Sequence, residues 1–271
     1  MYDICCIGHI TSDKVVNAQS VRYMPGGTAY YFSCALSRLP VSYLLATALA
    51  APEMKYVTAL REKGIEVMVQ PSAHTVFFEN IYAENQDQRT QNVLATADTF
   101  NVEQFELIEA KIFHLGPLLA NDITTGLIKV LAGKGRVSLD VQGYLRRVEN
   151  QKVYTADWAE KKEALQYIEI VKADIAELQA LTGCDDIKDG ARMLAGWGVK
   201  EVVITNGSHG SQIYHDGVFY TIPAYEPAIM VDATGCGDTY IAGYLYQRIQ
   251  GAGIQHSGEF AAAMAGLKTA A

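Results

Sequence analysis

The 271-residue sequence predicts an α/β fold of three layers, α/β/α, with a mainly parallel central sheet and a small β-rich lid. Three observations carry this expectation. Short apolar runs alternate with segments of helical spacing along most of the chain, the pattern of strands joined by crossover helices. Residues 75–97 break that rhythm: two alternating segments flank a polar ENQDQ, with no helix-period stretch between them. Apolar residues make up 49% of the chain and no repeat, linker or low-complexity tract divides it, so one domain, 1–271, is expected.

The first element, YDICCIGHI (2–10), is a continuous apolar run ended by polar residues, as a strand buried on both faces requires. KVVNAQSVRYM (14–24) alternates loosely and closes at Pro25-Gly26-Gly27. The following TAYYFSCALSRL has helical spacing, with Thr28 as the expected N-cap. SYLLATAL (42–49) reads as a strand, PEMKYVTALREKG (52–64) as a helix stopped by Gly64, and IEVMVQ (65–70) as a strand. Residues 75–97 then form a hairpin with a polar tip, which joins residues 13–24 in the lid. KIFHLG (111–116), RVSLDV (136–141), IEIVKA (168–173) and VKEVVITNG (199–207) continue the sheet. Helices are expected from about Asp122, after Asp157, across Asp174–Gly183 and across Ile187–Trp197. An antiparallel edge hairpin turns at His215-Asp216-Gly217, and helices from about Gly235 and Ser257 close the chain.

Charge and cysteine usage exclude several function classes. The net charge of −8 opposes a nucleic-acid partner, which needs a basic surface, and Arg146-Arg147 is the only adjacent arginine pair. The five cysteines contain no CxxC, so neither a disulfide framework nor a structural zinc site is indicated. MYDICCIGHITSD lacks a basic n-region, and the apolar stretch at 41–52 is too short to span a bilayer. A cytoplasmic protein without membrane contact is expected.

The chemistry concentrates in DATGCGDTYIAGYL (232–245). At a helix start the first amides lack intrahelical partners and, with the helix dipole, favour an anion. Gly235 and Gly237 let the backbone approach it closely, and Cys236 adds a third amide. Asp238, in the first turn, stands where it would take a proton from an attacking hydroxyl. A glycine turn with Asp238 serving only the helix dipole fits the same spacing. VVITNGSHGSQIY (202–214) is a second candidate: Thr205, Gly207 and Gly210 follow a strand and present a hydroxyl and backbone amides to a phosphate tail. An ordinary β-turn looks alike. A Walker A motif and a GxGxxG after the first strand are both absent, which removes the P-loop and dinucleotide-binding readings.

Together these stretches resemble the ribokinase/PfkB family of carbohydrate and nucleoside kinases. DATGCGD resembles its D-T-x-G-A-G-D signature, PGGTAYYFSCALSRL its N-terminal Gly-Gly signature, IGHITSD its opening strand, KADIAELQALTG its N-x-x-E element, and ITNGSHG its ATP-binding strand and turn. The resemblance implies a ribokinase-like fold and Asp238 as catalytic base, with Gly235, Cys236 and Gly237 as the anion hole. It implies Asp13, Gly26 and Gly27 against the acceptor, and Thr205, Gly207 and Gly210 on ATP. Glu177 and Asp174 would arrange Mg²⁺ through water, and Asp232 would border a monovalent cation, K⁺ in some relatives.

Four departures stand out: Ala233 replaces a Thr, Asp174 an Asn, Tyr31 an Asn after the Gly-Gly pair, and Pro40 a Gly. Relatives often run on past AAMAGLKTAA, which implies a shortened adenine wall here. The expected activity is ATP-dependent phosphorylation of a hydroxyl on a small sugar or polyol. A nucleoside is the alternative acceptor, with Tyr23, Phe77 and Tyr82 as candidate base-stacking residues. A non-catalytic sensor on the same fold is the alternative from another class, and a retained Asp238 argues against it. T-x-x-F-x-N-x-Y…R-x-Q (75–91) with DVQGYLR (140–146) resembles inositol-kinase-type members. Asp140 and Gln142 face the site or shape a turn, Arg89 and Arg146 reach phosphate or solvent, and His9 borders the pocket or packs. The exposed strand edges of the lid make a homodimer through it an expectation.

Overall fold

A computed structural model describes residues 1–17, 20–82, 89–225 and 232–270, with the side chains of Tyr82 and Arg89 outside that set. The ENQDQ tip falls largely within the undescribed 83–88, so its turn lies outside the described residues. The main sheet has nine strands. Its seven parallel members are β1 (Tyr2–Ile7), β4 (Tyr43–Leu49), β5 (Glu66–Pro71), β8 (Ala110–Leu115), β9 (Arg136–Asp140), β12 (Ile170–Asp174) and β13 (Glu201–Thr205). The antiparallel pair β14 (Ser211–His215) and β15 (Val218–Ile222) completes one edge, giving the order β15-β14-β13-β12-β9-β8-β1-β4-β5. Its turn places Asp216 and Gly217 at φ 48° and 82°, the left-handed pair that a two-residue hairpin requires.

Burial on both faces explains the continuous apolar runs. Along β1, Cys5 and Ile7 pack into one core with Phe113, Leu139 and Leu178, while Ile4 and Cys6 enter the other with Phe32, Leu45 and Tyr244. Helices α1 (Thr28–Leu36), α2 (Met54–Glu62), α7 (Cys236–Ile249) and α8 (Ile254–Thr269) supply the second core. Helices α3 (Thr125–Ala132), α5 (Ile175–Thr182) and α6 (Ile187–Gly196) supply the first. The segment after Asp157 yields only one α-turn, α4 (Lys161–Ala164), and a 3₁₀ turn. No helix among the described residues is long and apolar enough to cross a membrane, and all five cysteines are free thiols.

Six strands form a second sheet over the carboxyl edge of the first. They are β2 (Thr11–Val16), β3 (Val21–Gly26), β6 (Val76–Tyr82), β7 (Arg89–Ala95), β10 (Arg146–Glu149) and β11 (Lys152–Thr155), in the order β10-β11-β7-β6-β2-β3. The β10–β11 hairpin adds to the lid two strands that the sequence pattern did not reveal. Its turn carries Asn150 and Gln151 at φ 48° and 65°, again a two-residue left-handed pair. Without the usual glycine at its second position, and with charged flanks, it lacks the local signature of a hairpin.

How each helix begins decides what faces the cleft. Gly27, not Thr28, is the N-cap of α1: its φ of 89° suits glycine, and a Cβ there would meet the His9 carbonyl at 2.6 Å. Gly235 caps α7 at φ 77°. Neither has a side-chain cap, so both leave first-turn amides open. Helix α5 is closed by its own carboxylates in a capping box, Asp174 accepting from the Glu177 amide and Glu177 from the Asp174 amide, each at 2.7 Å.

Candidate active site

The strands of a parallel sheet present their carboxyl ends to one edge, and α/β proteins bind ligands there. Here β9, β12 and β13 end at Asp140, Asp174 and Thr205, and α1 and α7 start alongside. The lid sheet covers this edge. Between them lies a cavity of about 730 Å³. It gathers Asp13, Gly27, Asp174, Glu177, Thr205, Gly207, Asp232, Gly235, Cys236, Gly237 and Asp238, residues spread over the whole sequence. Two expected members stand back from it. Gly26 packs under Asp13, where a Cβ would meet the carboxylate oxygen at 2.4 Å. Gly210 adopts φ 87° against the Ile222 carbonyl, 2.2 Å from a built Cβ, so its place is in the close crossing of the edge hairpin.

The charges at the floor of the cleft are coupled. Lys172, buried on β12, places its ammonium 2.9 Å from Asp140 Oδ2 and 3.8 Å from Glu177 Oε2. Its pKa is raised: burial opposes the charge, but Asp140 and Glu177 outweigh it. A Cβ built on Gly237 would lie 3.3 Å from Lys172 Nζ, so the ammonium lies beside the first turn of α7. Asp140 also accepts from the Gln142 amide at 3.1 Å, and Gln142 Nε2 donates to Glu177 Oε1 at 3.3 Å. Asp140 and Gln142 therefore both shape the turn and belong to the site.

Asp238 is half-buried at the mouth of this cluster and lines the cavity. Burial, then the Asp140 charge, pushes its carboxyl up to about 7, with Glu177 adding to the shift while Lys172 and a hydrogen bond from Thr28 hold it down. That value lets it accept a proton near neutral pH. The amides around it are not equivalent. Among the described residues Gly235 and Gly237 amides have no backbone partner, whereas the Cys236 amide donates to the Ala233 carbonyl at 3.2 Å. The three-amide hole expected from the sequence is thus two open donors and one closed in a turn. The Cys236 thiol points to the Ala265 carbonyl at 3.7 Å, and burial raises its pKa, so the helix N-terminus does not activate it.

Asp174 and Glu177 fit a shared magnesium role in one respect and limit it in another. Each spends one oxygen on the capping box, and a carboxylate has further lone pairs for ordered water. Among the described residues no group of three His, Cys, Asp or Glu forms a cage for a metal. Magnesium bound through phosphate oxygens, water and one or two carboxylates suits such a set. Asp232 Oδ1 accepts from the Thr234 amide and hydroxyl at 2.9 and 2.7 Å.

The lid side of the cavity sets hydrogen-bonding groups among apolar side chains. The Asp13 carboxylate accepts from the Thr11 hydroxyl at 2.6 Å, and Gln91 Nε2 donates to Asn80 Oδ1 at 2.9 Å. Strand alternation sends Asp13, Val15, Met24, Phe78 and Asn80 into the cavity. It sends Ser12, Tyr23 and Phe77 to a separate hollow on the lid's other face, where Tyr23 and Phe77 lie 6.4 Å apart. Two of the candidate base-stacking residues therefore face away from the site, and the Tyr82 side chain is outside the described residues. Arg146 lines the cavity. His9 is fully buried between Asp122 at 3.2 Å and the Asp98 carbonyl at 3.0 Å, stacked on Phe100, and packs the structure beside the cleft.

Lys172 was the residue that motif reading missed. Its signal is a lone cation inside the apolar run IEIVKA, at a position the sheet buries. Thr11, which orients Asp13, has no signal beyond its neighbourhood.

The class of protein is a kinase acting on a sugar, polyol or nucleoside. The chain belongs to the pfkB family of carbohydrate kinases, whose model matches residues 1–271. It is 30% identical over 260 residues to a cytidine kinase of Thermococcus kodakarensis (strain ATCC BAA-918 / JCM 12380 / KOD1), covering 90% of this chain and 88% of that protein. It is 28% identical over 250 residues to fructokinase-1 of Zea mays, covering 83% and 73%. A solved pyrophosphate-dependent kinase in the ribokinase family, complexed with a pyrophosphate analog and myo-inositol, superposes with a TM-score of 0.90 at 29% identity, covering 98% of this chain and 95% of that one. The ribokinase-like three-layer fold follows.

Proposed function

We propose that the protein transfers the terminal phosphoryl group of a polyphosphate donor to a hydroxyl of a small sugar or polyol, with Asp238 as the general base. The observation that carries this reading is the Asp238 carboxyl beside two open helix amides in the same cleft, with burial and Asp140 pushing its pKa up to about 7. Asp13, steadied by Thr11 and Gly26, holds the acceptor against the Gly27 turn. The attacking hydroxyl gives its proton to Asp238 as its oxygen bonds to phosphorus, and the bond to the bridging oxygen breaks. Amides of Gly235 and Gly237, joined by Cys236 once its turn opens, neutralise charge on the departing phosphoryl oxygens. Thr205 and Gly207 line the donor side, with Gly210 fixing their turn. Glu177 and Asp174 would hold Mg²⁺ through water; when bound it would neutralise donor charge. Asp232 would border a monovalent cation such as K⁺.

ATP is the donor expected for the family. A second reading is pyrophosphate: the Lys172 ammonium, 2.9 Å from Asp140 Oδ2, lies beside the first turn of α7, where it would add positive charge near a small anionic donor. The relative whose solved complex contains a pyrophosphate analog supports it. A polyol is preferred to a nucleoside because Asp13, Asn80 and Gln91 face the cavity while Tyr23 and Phe77 do not, which leaves Phe78, among the described residues, as the lid's aromatic ring there. A homodimer through the lid belongs to the same reading, since β3 is an edge strand with Val21 and Tyr23 exposed; light scattering tests it.

The deciding experiment pairs ATP–Mg²⁺ or pyrophosphate–Mg²⁺ with myo-inositol, ribose, fructose, cytidine and adenosine, and follows the product by phosphorus NMR. Phosphorylation of a polyol or sugar is expected. Transfer to the nucleosides alone contradicts the acceptor assignment, and transfer to none contradicts the kinase mechanism for this panel.

A further inference from the structure

Tyr31, which stands where the family signature commonly has Asn, meets both halves of the cleft. It lies in the first turn of α1, its amide donating to the Gly27 carbonyl at 3.2 Å. Its ring rests on the Gly235 turn so closely that a Cβ there would lie 2.4 Å from Tyr31 Cγ and 2.5 Å from Cδ1. Gly235 is thus required twice, by its φ of 77° and by this ring. From the other side the ring packs edge-on against Tyr30, centroids 5.6 Å apart. Tyr31 also lines the cavity, and among the described residues its hydroxyl has no hydrogen-bond partner.

The hydroxyl's surroundings are anionic. Burial first, then Asp13, Asp232 and Asp238, raise its pKa. These three acids come from the lid, from the loop before α7 and from α7 itself. The phenol therefore remains protonated and keeps a hydrogen to donate, at the junction of the acceptor and donor sides.

We propose that Tyr31 serves phosphotransfer in two separable ways: its ring buttresses the Gly235 turn that aims the α7 amides, and its hydroxyl donates a hydrogen bond to an oxygen of the phosphoryl group in transit. The assignment rests on the kinase reading of the cleft. No proton changes owner at Tyr31; it contributes a dipole where negative charge passes between acceptor and donor.

Two variants separate the roles, with wild-type transfer measured alongside and thermal unfolding checking that each folds. Tyr31→Phe keeps the ring, so donor and acceptor KM should stay within about twofold while kcat falls by about 10²-fold, the usual effect of losing one such donor. Tyr31→Ala removes the ring as well, and donor KM should rise, with more donor hydrolysis in the absence of acceptor. A Tyr31→Phe enzyme with wild-type kcat overturns the hydroxyl role. A Tyr31→Ala enzyme with wild-type donor KM and hydrolysis overturns the buttress. If wild-type protein itself transfers nothing, the kinase reading fails first and takes this inference with it, a result distinct from either variant outcome.

Discussion

The floor of the cleft and its lid solve different problems with different side chains. On the floor, Asp140, Lys172, Glu177 and Asp238 hang from β9, β12, α5 and α7, and their charges shift one another. On the lid's inner face, the neutral amides Asn80 and Gln91 pair with each other, and Asp13 is held by a threonine hydroxyl. Low dielectric and fixed geometry make the floor suited to moving a proton and a phosphoryl group. Hydrogen-bonding groups on a separate sheet, the Asn80 and Gln91 amides with the Asp13 carboxylate, suit selection of a hydroxylated acceptor. The proposed lesson is a division of labour, with the chemistry assigned to the main sheet and acceptor choice to the lid.

The contrast can be broken most sharply at Asp238. Asp238→Asn should lower kcat by about 10²–10⁴-fold while donor affinity, read by calorimetry, changes little. The same variant should be more heat-stable than wild type at alkaline pH. A carboxyl raised to about 7 in the folded state contributes stability that is complete below its unfolded value of 3.8 and lost as pH rises through about 7. The difference should therefore vanish near pH 4 in paired unfolding scans.

Lys172→Met comes next. It leaves Asp140 buried without its cation, and stability should fall by about 3–5 kcal/mol in denaturant titrations. With the ammonium gone, the Asp238 midpoint should move above its present position, a shift that loss of packing alone would not cause.

On the lid, Asn80→Ala or Gln91→Ala should raise acceptor KM by roughly 3–10-fold, the equivalent of one modest hydrogen bond, with kcat nearly unchanged. An equal fall in kcat would dissolve the proposed division. The smallest effect is expected on the lid's other face: Tyr23→Ala should leave acceptor KM within about twofold, since a substitution pointing away from the site removes no contact made to substrate. A large KM increase for a nucleoside acceptor would reverse that assignment.

Sequence patterns conveyed the central architecture because each buried strand needs an apolar run and each crossover helix its own spacing. They also marked the glycine-started helix α7, where the turn at Gly235 tolerates no side chain, but for α1 they pointed to Thr28, one residue past the Gly27 cap. What they hid was non-local. Lys172 became interpretable only when β9 brought Asp140 beside β12, 32 residues distant in sequence. The front and back of the lid depended on register: a bulge between Phe77 and Phe78 helps set which aromatic faces inward. The β10–β11 hairpin was missed because Asn150-Gln151 makes a left-handed turn without a glycine. The closed Cys236 amide could not be foreseen from a Gly-Cys-Gly spacing, which specifies closeness to an anion and not the direction of each N–H.

The pH dependence of kcat/KM, with the acceptor found in the panel, tests the role of Asp238 most directly, since that parameter reports groups of the free enzyme. The base acts when deprotonated, so kcat/KM should rise with pH and level off above a midpoint of about 7. A profile flat from about pH 5 to pH 9, or a midpoint in the ordinary carboxylate range near 4, would contradict Asp238 as the proton acceptor.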